Sequence, residues 1–539
     1  MLLKTVYFTG PDLELPLSRY HSATVAALDV NQTKLGYSPA RDRSPLDSGR
    51  GSLPPLLHLS ILAVVTAAGA VLRFHALAVK TFWFDEALSV GIARLDWYNF
   101  VRILWRREAN MSLYYLLLRA WLHFGSSEAS IQSLSVLFGV AAIPALYLLG
   151  RRLFGSPVGL IAAALLCVNS YHLHYCQEAR SYSLTMFLCI LSSLYFLKLL
   201  DVPSRANRDV YVLLSALAFY AHFFSALMLL AHRLSLHFLD SDGVPKQTRR
   251  VWVPIAVAVS PGVAFIATTG VGPVSWIPRP GLYDLWQLTL RLTGDGGPLL
   301  VFLYAGACLG AVAGNVDWGK KQVSREAWLC RFLLLWMFLP VLLVFAVSMV
   351  RPLFVARYFI FSLPALLLLA SAGLARIRSR WLFATILLVF LGISLRGTAA
   401  YYHELSTSPP EGWRAASQYL LRNTRPGDAL VFHIAMGRLP YEFYRSLQSP
   451  SAVGPDVLYP YHGSRITFLD FVEKPDYARL RAAIPQHPRV WFVISSADKT
   501  ASVLSSLISA AEPISERHDF GGIQVVLYSK PAAAPSTRN

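Results

Sequence analysis

Charge is scarce in this chain. Only 15% of its 539 residues are charged, and 55% are hydrophobic. A soluble chain carries about 25% charge, so a purely soluble globular protein is excluded. Apolar runs recur from residue 53 to 398 and then stop. Cysteine is scarce too: Cys167, Cys176, Cys189, Cys308 and Cys330 lie in or beside apolar runs, with no CxxC. They read as small hydrophobes, which excludes a disulfide framework and a thiolate metal site. No G-x-G-x-x-G or Walker A pattern occurs, so nucleotide binding is unsupported. Acidic residues number 31 against 49 basic ones. The excess does not point to nucleic acid, because the Lys and Arg are spread among short loops, as in helices oriented by cytoplasmic charge. Residues 1–52 lack a clear period, and no charged n-region leads directly into an apolar run. They are expected to form a disordered cytoplasmic tail without a cleaved signal peptide.

What is present reads as an all-α polytopic membrane protein. About 20 apolar residues cross roughly 30 Å of hydrocarbon. The pattern predicts eleven spans, over 53–79, 131–149, 158–175, 183–199, a tight hairpin at 210–239, 251–269, 299–316, 328–350, 358–374 and 381–394. His222 sits at the hairpin's outer tip. Residues 94–107 are amphipathic and are expected to lie along the interface. Residues 113–124 are too short to cross. With residues 1–52 inside, five connecting loops carrying two or three basic residues each all fall on the cytoplasmic side, as positive-inside orientation requires.

This topology gathers unusual polar groups on the outer face. Asp85 and Glu86 follow the first apolar run, behind Trp83 and Phe84. Gln177, Glu178, Arg180 and Tyr182 form one outer turn. His222, Trp276 to Arg279, and Arg351 to Tyr358 supply the others. Polar groups at membrane depth are costly and usually mark a site. From residue 407 the composition becomes that of a soluble domain. Helices are predicted over 411–423, 477–484 and 501–511, and strands over 429–434, 489–495 and 524–528, which gives a small α/β domain. After an odd number of spans it falls outside. The domains are therefore the tail 1–52, a membrane domain 53–400 with its outer loop 80–130, and the soluble domain 407–539.

Four segments, in this order, resemble the GT-C superfamily of polytopic glycosyltransferases. They are the Asp85-Glu86 pair, Gln177-Glu178-Ala179-Arg180-x-Tyr182, Tyr220-Ala221-His222-Phe223, and Arg351-Pro352 leading to Arg357-Tyr358. The nearest branch resembles the bacterial relatives of protein O-mannosyltransferases and aminoarabinose lipid A transferases. The resemblance covers residues 53–398. Two positions depart from it. Asn110-Met111-Ser112 stands where His-Pro-Pro often precedes Leu-Tyr-Tyr, and Gln132 stands near a frequent Arg.

The resemblance implies an inverting transfer from a polyprenyl-phosphate sugar to a glycan, lipid or protein acceptor, in the plasma (inner) membrane and among its lipids. Asp85 would be the base, as a reaction that must take the acceptor's proton needs. Glu86, grouped with Asp85 as catalytic, would position the acceptor or orient nearby groups. Arg351, Arg357 and Tyr358 would hold the lipid phosphate, for which the guanidinium fork is suited. Gln177, Glu178, Arg180, Tyr182 and His222 would line the substrate site. No cofactor is required, and a divalent cation near Asp85, Glu86, Glu178 and His222 is left open. The competing reading is a transporter or flippase for a lipid or sugar-lipid. It is disfavoured by the absence of a visible repeat and by polar groups that cluster at one face, not at the midplane.

Overall fold

The computed structural model describes residues 54–77, 79–239, 244–269, 277–314, 324–407, 412–448, 454–461 and 475–529. The tail 1–52 and Trp276 lie outside them. The chain is a multi-pass helical membrane protein carrying a small C-terminal α/β domain. Seven described helices are long and apolar enough to cross a membrane, or eight if the bent pair Ser156–Cys167 and Ser170–Cys176 is one span. The other segments read as spans form shorter helices, Arg205–Ala221, Phe223–Phe238 and Pro298–Ala313.

The hairpin expected at 210–239 is closed by contacts between its arms. The Tyr211 hydroxyl lies 2.9 Å from His232 Nδ1, and these residues are almost equally far from His222. The imidazole stacks on Phe196 with ring centroids 4.4 Å apart, and its Nε2 meets Ser193 Oγ at 3.0 Å. A buried imidazole is tolerated here because both ring nitrogens have partners.

The third span differs most from its sequence reading. It is not one rod over 158–175 but bends by 63° between its two helices. Asn169 caps the second helix by accepting the His172 amide at 2.9 Å, the role in which Asn is favoured. The first helix ends inside the protein, where its last carbonyls need donors. Arg73, fully buried on the first membrane helix Pro55–Phe74, supplies them. Its guanidinium donates to Leu166 O at 2.9 Å and to Cys167 O at 3.1 Å. It also lies 2.7 Å from His172 Nδ1. The last membrane helix also runs beyond its expected end at 394, spanning Arg380–Thr407. That extension brings the Tyr401 hydroxyl within 2.7 Å of Gln177 Oε1. The connection before residue 298, expected to be an outer loop, contains a helix, Leu282–Leu292.

The C-terminal sheet has five strands, β1 (Ala429–His433), β2 (Asp456–Tyr459), β3 (Arg489–Ile494), β4 (Ile514–Phe520) and β5 (Ile523–Ser529). Their order is β2-β1-β3-β5-β4. β1 is parallel to β2 and β3, and β5 is antiparallel to β3 and β4. Central β1 is buried along its whole length, as expected of a strand covered on both faces. β2 and β4 were not foreseen. β2 is four residues long, and β4 is an exposed edge rich in charge, which managed edges favour. Helix Arg438–Gln448 was also missed. It buries Leu439, Tyr441, Phe443 and Tyr444.

Close helix packing rests on glycine. Gly150 of helix Glu128–Phe154 faces Gly159 of helix Ser156–Cys167. A Cβ at Gly159 would stand 2.5 Å from Tyr147 O and 3.0 Å from Arg151 N. Both are backbone atoms that cannot rotate away. Gly159→Ala should therefore destabilise the protein by about 1–3 kcal/mol, the usual cost of overpacking. Thermal unfolding in detergent measures it.

Candidate active site

The acidic pair opens helix Phe84–Ala93. Carboxylates are favoured in a first turn, next to unpaired amides and the positive end of the helix dipole. Neighbouring residues on a helix point about 100° apart, so the pair divides. Glu86 turns inward and is fully buried. Its Oε1 accepts from the Ala179 amide at 2.7 Å and from Gln132 Nε2 at 3.1 Å. Its Oε2 has no hydrogen-bond partner among the described residues. Asp85 turns toward two guanidiniums. Its Oδ2 lies 3.3 Å from Arg357 Nη2 and 3.9 Å from Arg180 Nη2. The Asp85 side chain keeps 17% of its surface exposed, so it remains accessible.

Arg180 is held by several acceptors. Its Nη1 donates to Asp85 O at 3.3 Å, to Ser89 Oγ at 3.2 Å and to the Tyr115 hydroxyl at 3.5 Å. The Arg357 guanidinium lies over the Trp83 ring at 5.1 Å and the Tyr358 ring at 5.9 Å, within cation–π range. His222 packs against Tyr358 with centroids 5.0 Å apart, and against Tyr182 at 6.2 Å. Asp85, Arg180, Tyr182, His222, Arg357 and Tyr358 thus meet around one locus, from four segments distant in sequence.

Four of the expected residues are placed differently. Glu86 was expected to position an acceptor or orient nearby groups. It is buried and ties the acidic helix to the Gln177–Tyr182 turn. Gln177 faces away from Asp85. Its Nε2 donates to Arg73 O at 3.0 Å and His75 O at 2.8 Å, and its Oε1 accepts from the Tyr401 hydroxyl at 2.7 Å. Glu178 turns to Lys80 at 3.4 Å and to His174 at 3.1 Å. Burial alone would raise the Glu178 carboxyl, but Lys80 and His174 hold it at about 2. Arg351 is exposed just past its helix, where its amide donates to Val347 O. It makes no hydrogen bond or ion pair with the other candidates among the described residues. Arg279 is exposed as well.

Two residues at the site were not foreseen. Glu108 accepts from the Tyr115 hydroxyl at 3.1 Å. Burial pushes its carboxyl up, against the opposing pull of Arg180. It was hidden behind Arg106 and Arg107, where a lone acid reads as part of a solvated face. Asn110 lies 3.5 Å from His222 Nε2 and accepts the Phe223 amide at 2.9 Å. Asn110 and Gln132, noted above as departures from the resemblance, each bond to a candidate residue, His222 and Glu86 respectively. Among the described residues, no group of three or more His, Cys, Asp or Glu is placed to hold a metal ion.

A family model described as dolichyl-phosphate-mannose-protein mannosyltransferase matches residues 111–266. The match takes in the Gln177–Tyr182 turn and His222, and leaves Asp85 and Arg357 outside it. No curated protein matches the chain. Among solved structures, ArnT from Cupriavidus metallidurans in the apo state is similar, with a TM-score of 0.61 and 12% identity over 87% of this chain and 98% of that one. The same protein bound to undecaprenyl phosphate gives a TM-score of 0.58 and 12% identity, over 86% and 97%. At this identity the likeness is one of fold, and the resemblance to the GT-C superfamily drawn from the motifs holds.

Burial pushes the Glu86 carboxyl up, opposed by Lys80 and reinforced by Glu178. The folded protein then holds this proton more tightly than the unfolded chain does. Stability from this group falls as pH rises from the ordinary carboxyl value to the raised one, and levels off above it. Glu86→Gln should remove that slope. Glu86→Ala should cost on the order of 2–4 kcal/mol, because it strands the Ala179 amide and the Gln132 side chain. Thermal unfolding across that pH window compares the two.

Proposed function

We propose that this protein is an integral-membrane glycosyltransferase moving a sugar from a polyprenyl-phosphate donor to an acceptor hydroxyl on the extracytoplasmic face. One observation carries this reading. A partly exposed carboxylate, Asp85, faces two guanidiniums, Arg180 and Arg357, brought in by separate segments. Transfer from a sugar phosphate needs a base for the acceptor and cations for the leaving phosphate. The fold shared with a protein crystallised with undecaprenyl phosphate supports a lipid-linked donor. In this reading the membrane domain is 53–400, the soluble domain 407–539 lies outside, and the tail 1–52 lies in the cytoplasm. The membrane is the plasma (inner) membrane.

The step balances as a single displacement. Asp85 takes the acceptor proton, and the acceptor oxygen attacks the anomeric carbon. The bond from that carbon to the phosphate oxygen breaks, and its electron pair leaves with the phosphate. Attack opposite the leaving group inverts the centre. Arg357 receives the phosphate, with Tyr358 and His222 as the aromatic wall beside it. A phosphate arriving at Arg357 takes donors that Asp85 otherwise holds, so donor binding frees the base. Arg180 keeps Asp85 oriented through its main-chain oxygen. Glu86, Gln177 and Glu178 position these groups without touching substrate. No cofactor is required by this step.

Membranes supplied with a panel of polyprenyl-phosphate sugars test the reading. Asp85→Asn should lower transfer by at least about 10²-fold, the scale of a lost general base, with insertion unchanged. Arg357→Ala should raise KM for the donor more than for the acceptor, whereas Arg351→Ala should stay near parental on both. Parental transfer by Asp85→Asn would remove Asp85 from the chemistry. Failure of the parental protein to consume any lipid-linked sugar would overturn the reading as a whole.

A further inference from the structure

The segment that presents Asp85 is gripped from outside the membrane domain. Helix Arg438–Gln448 of the C-terminal domain lies against it at both ends. On the approach to the acidic helix, the Phe82 amide donates to the Tyr444 hydroxyl and to Glu128 Oε1, both at 3.2 Å. The Tyr444 hydroxyl itself donates to Glu128 Oε1. Glu128 Oε2 pairs with Arg414 Nη2 at 2.7 Å, and Arg414 also donates to Lys80 O at 3.3 Å. Phe82 is fully buried, with its ring centroid 4.6 Å from that of Phe443. Past the far end, Arg94 Nη1 donates to Ser446 Oγ at 2.9 Å, and its guanidinium lies 5.6 Å from the Phe443 ring centroid.

We infer that the C-terminal domain sets the position of the Asp85 carboxylate, through a clamp in which Tyr444 and Arg414 close on Glu128 and on the backbone of residues 80–82. A helix of ten residues is marginal alone and takes its place from tertiary contacts. Helix Phe84–Ala93 has Glu86 as its inner anchor, and the clamp is its outer one. Tyr444 and Arg414 act on the acidic helix through Glu128 and the backbone of residues 80–82, so they are positioning residues. A base displaced by about 1 Å can lose 10²-fold in rate even when the displaced contact is remote. The catalytic consequence rests on Asp85 being the base; the mechanical one does not.

Two readouts on the full-length protein in nanodiscs separate these parts. Hydrogen exchange reports the order of residues 79–94, and steady-state transfer reports kcat and KM. Tyr444→Phe removes one hydroxyl and keeps the ring, so the domain should still fold. It should speed exchange at 79–94 by about tenfold and lower kcat by about tenfold, with donor KM unchanged. Arg414→Ala should do the same, and Arg414→Lys should restore part of both effects by returning a cation to Glu128. Asp85→Asn should abolish transfer and leave exchange at 79–94 unchanged. Parental exchange and parental kcat in both Tyr444→Phe and Arg414→Ala would overturn the clamp. Faster exchange in those variants with full transfer by Asp85→Asn would uphold the clamp and remove the base.

Discussion

A carboxyl placed where water does not reach must find donors inside the protein, or the structure holding it is destabilised. Glu86 meets that constraint with the Ala179 amide and Gln132. In doing so it fastens the acidic helix to the Gln177–Tyr182 turn and to helix Glu128–Phe154. The direction of Asp85 follows from helical geometry once Glu86 is fixed. One residue is spent on anchoring so that the next can face Arg180 and Arg357.

The turn that receives Glu86 depends in its own way on satisfied backbone. The third span breaks within the protein, and a break leaves carbonyls without partners. Arg73 supplies the donors, and Asn169 restarts the helix. Gln177 then ties the turn to the end of the first membrane helix and to Tyr401. A charge as expensive as a buried arginine is retained because the bend it satisfies aims the turn at the site. The C-terminal domain adds the last constraint, at the two ends of the same short helix.

Much of this was legible in the chain. The apolar runs marked the membrane helices, because periodicity and length carry that signal directly. The central strands β1 and β3 were legible for the same reason. Edge strands β2 and β4 were not, since β2 is only four residues long and β4 carries too few apolar residues to stand out. Helix Arg438–Gln448 was missed although Leu439, Phe443 and Leu447 recur at helical spacing. The bend at Asn169 had a signal in the chain, since Asn169, Ser170, His172 and His174 interrupt the apolar run expected to form one span over 158–175.

Which segments are apolar enough to enter the membrane is readable from the chain alone, because it follows from the local cost of transferring side chains into hydrocarbon. The chain also set the types of chemistry at hand, a carboxylate pair, guanidiniums and an imidazole. Only the tertiary structure decided which carboxylate is sealed and which stays open, why Gln177 is a brace, why Arg351 stands apart, and that Asn110 and Tyr444 matter. Those outcomes depend on which backbone groups from distant segments lack partners, and such a vacancy exists only once the segments have been packed together.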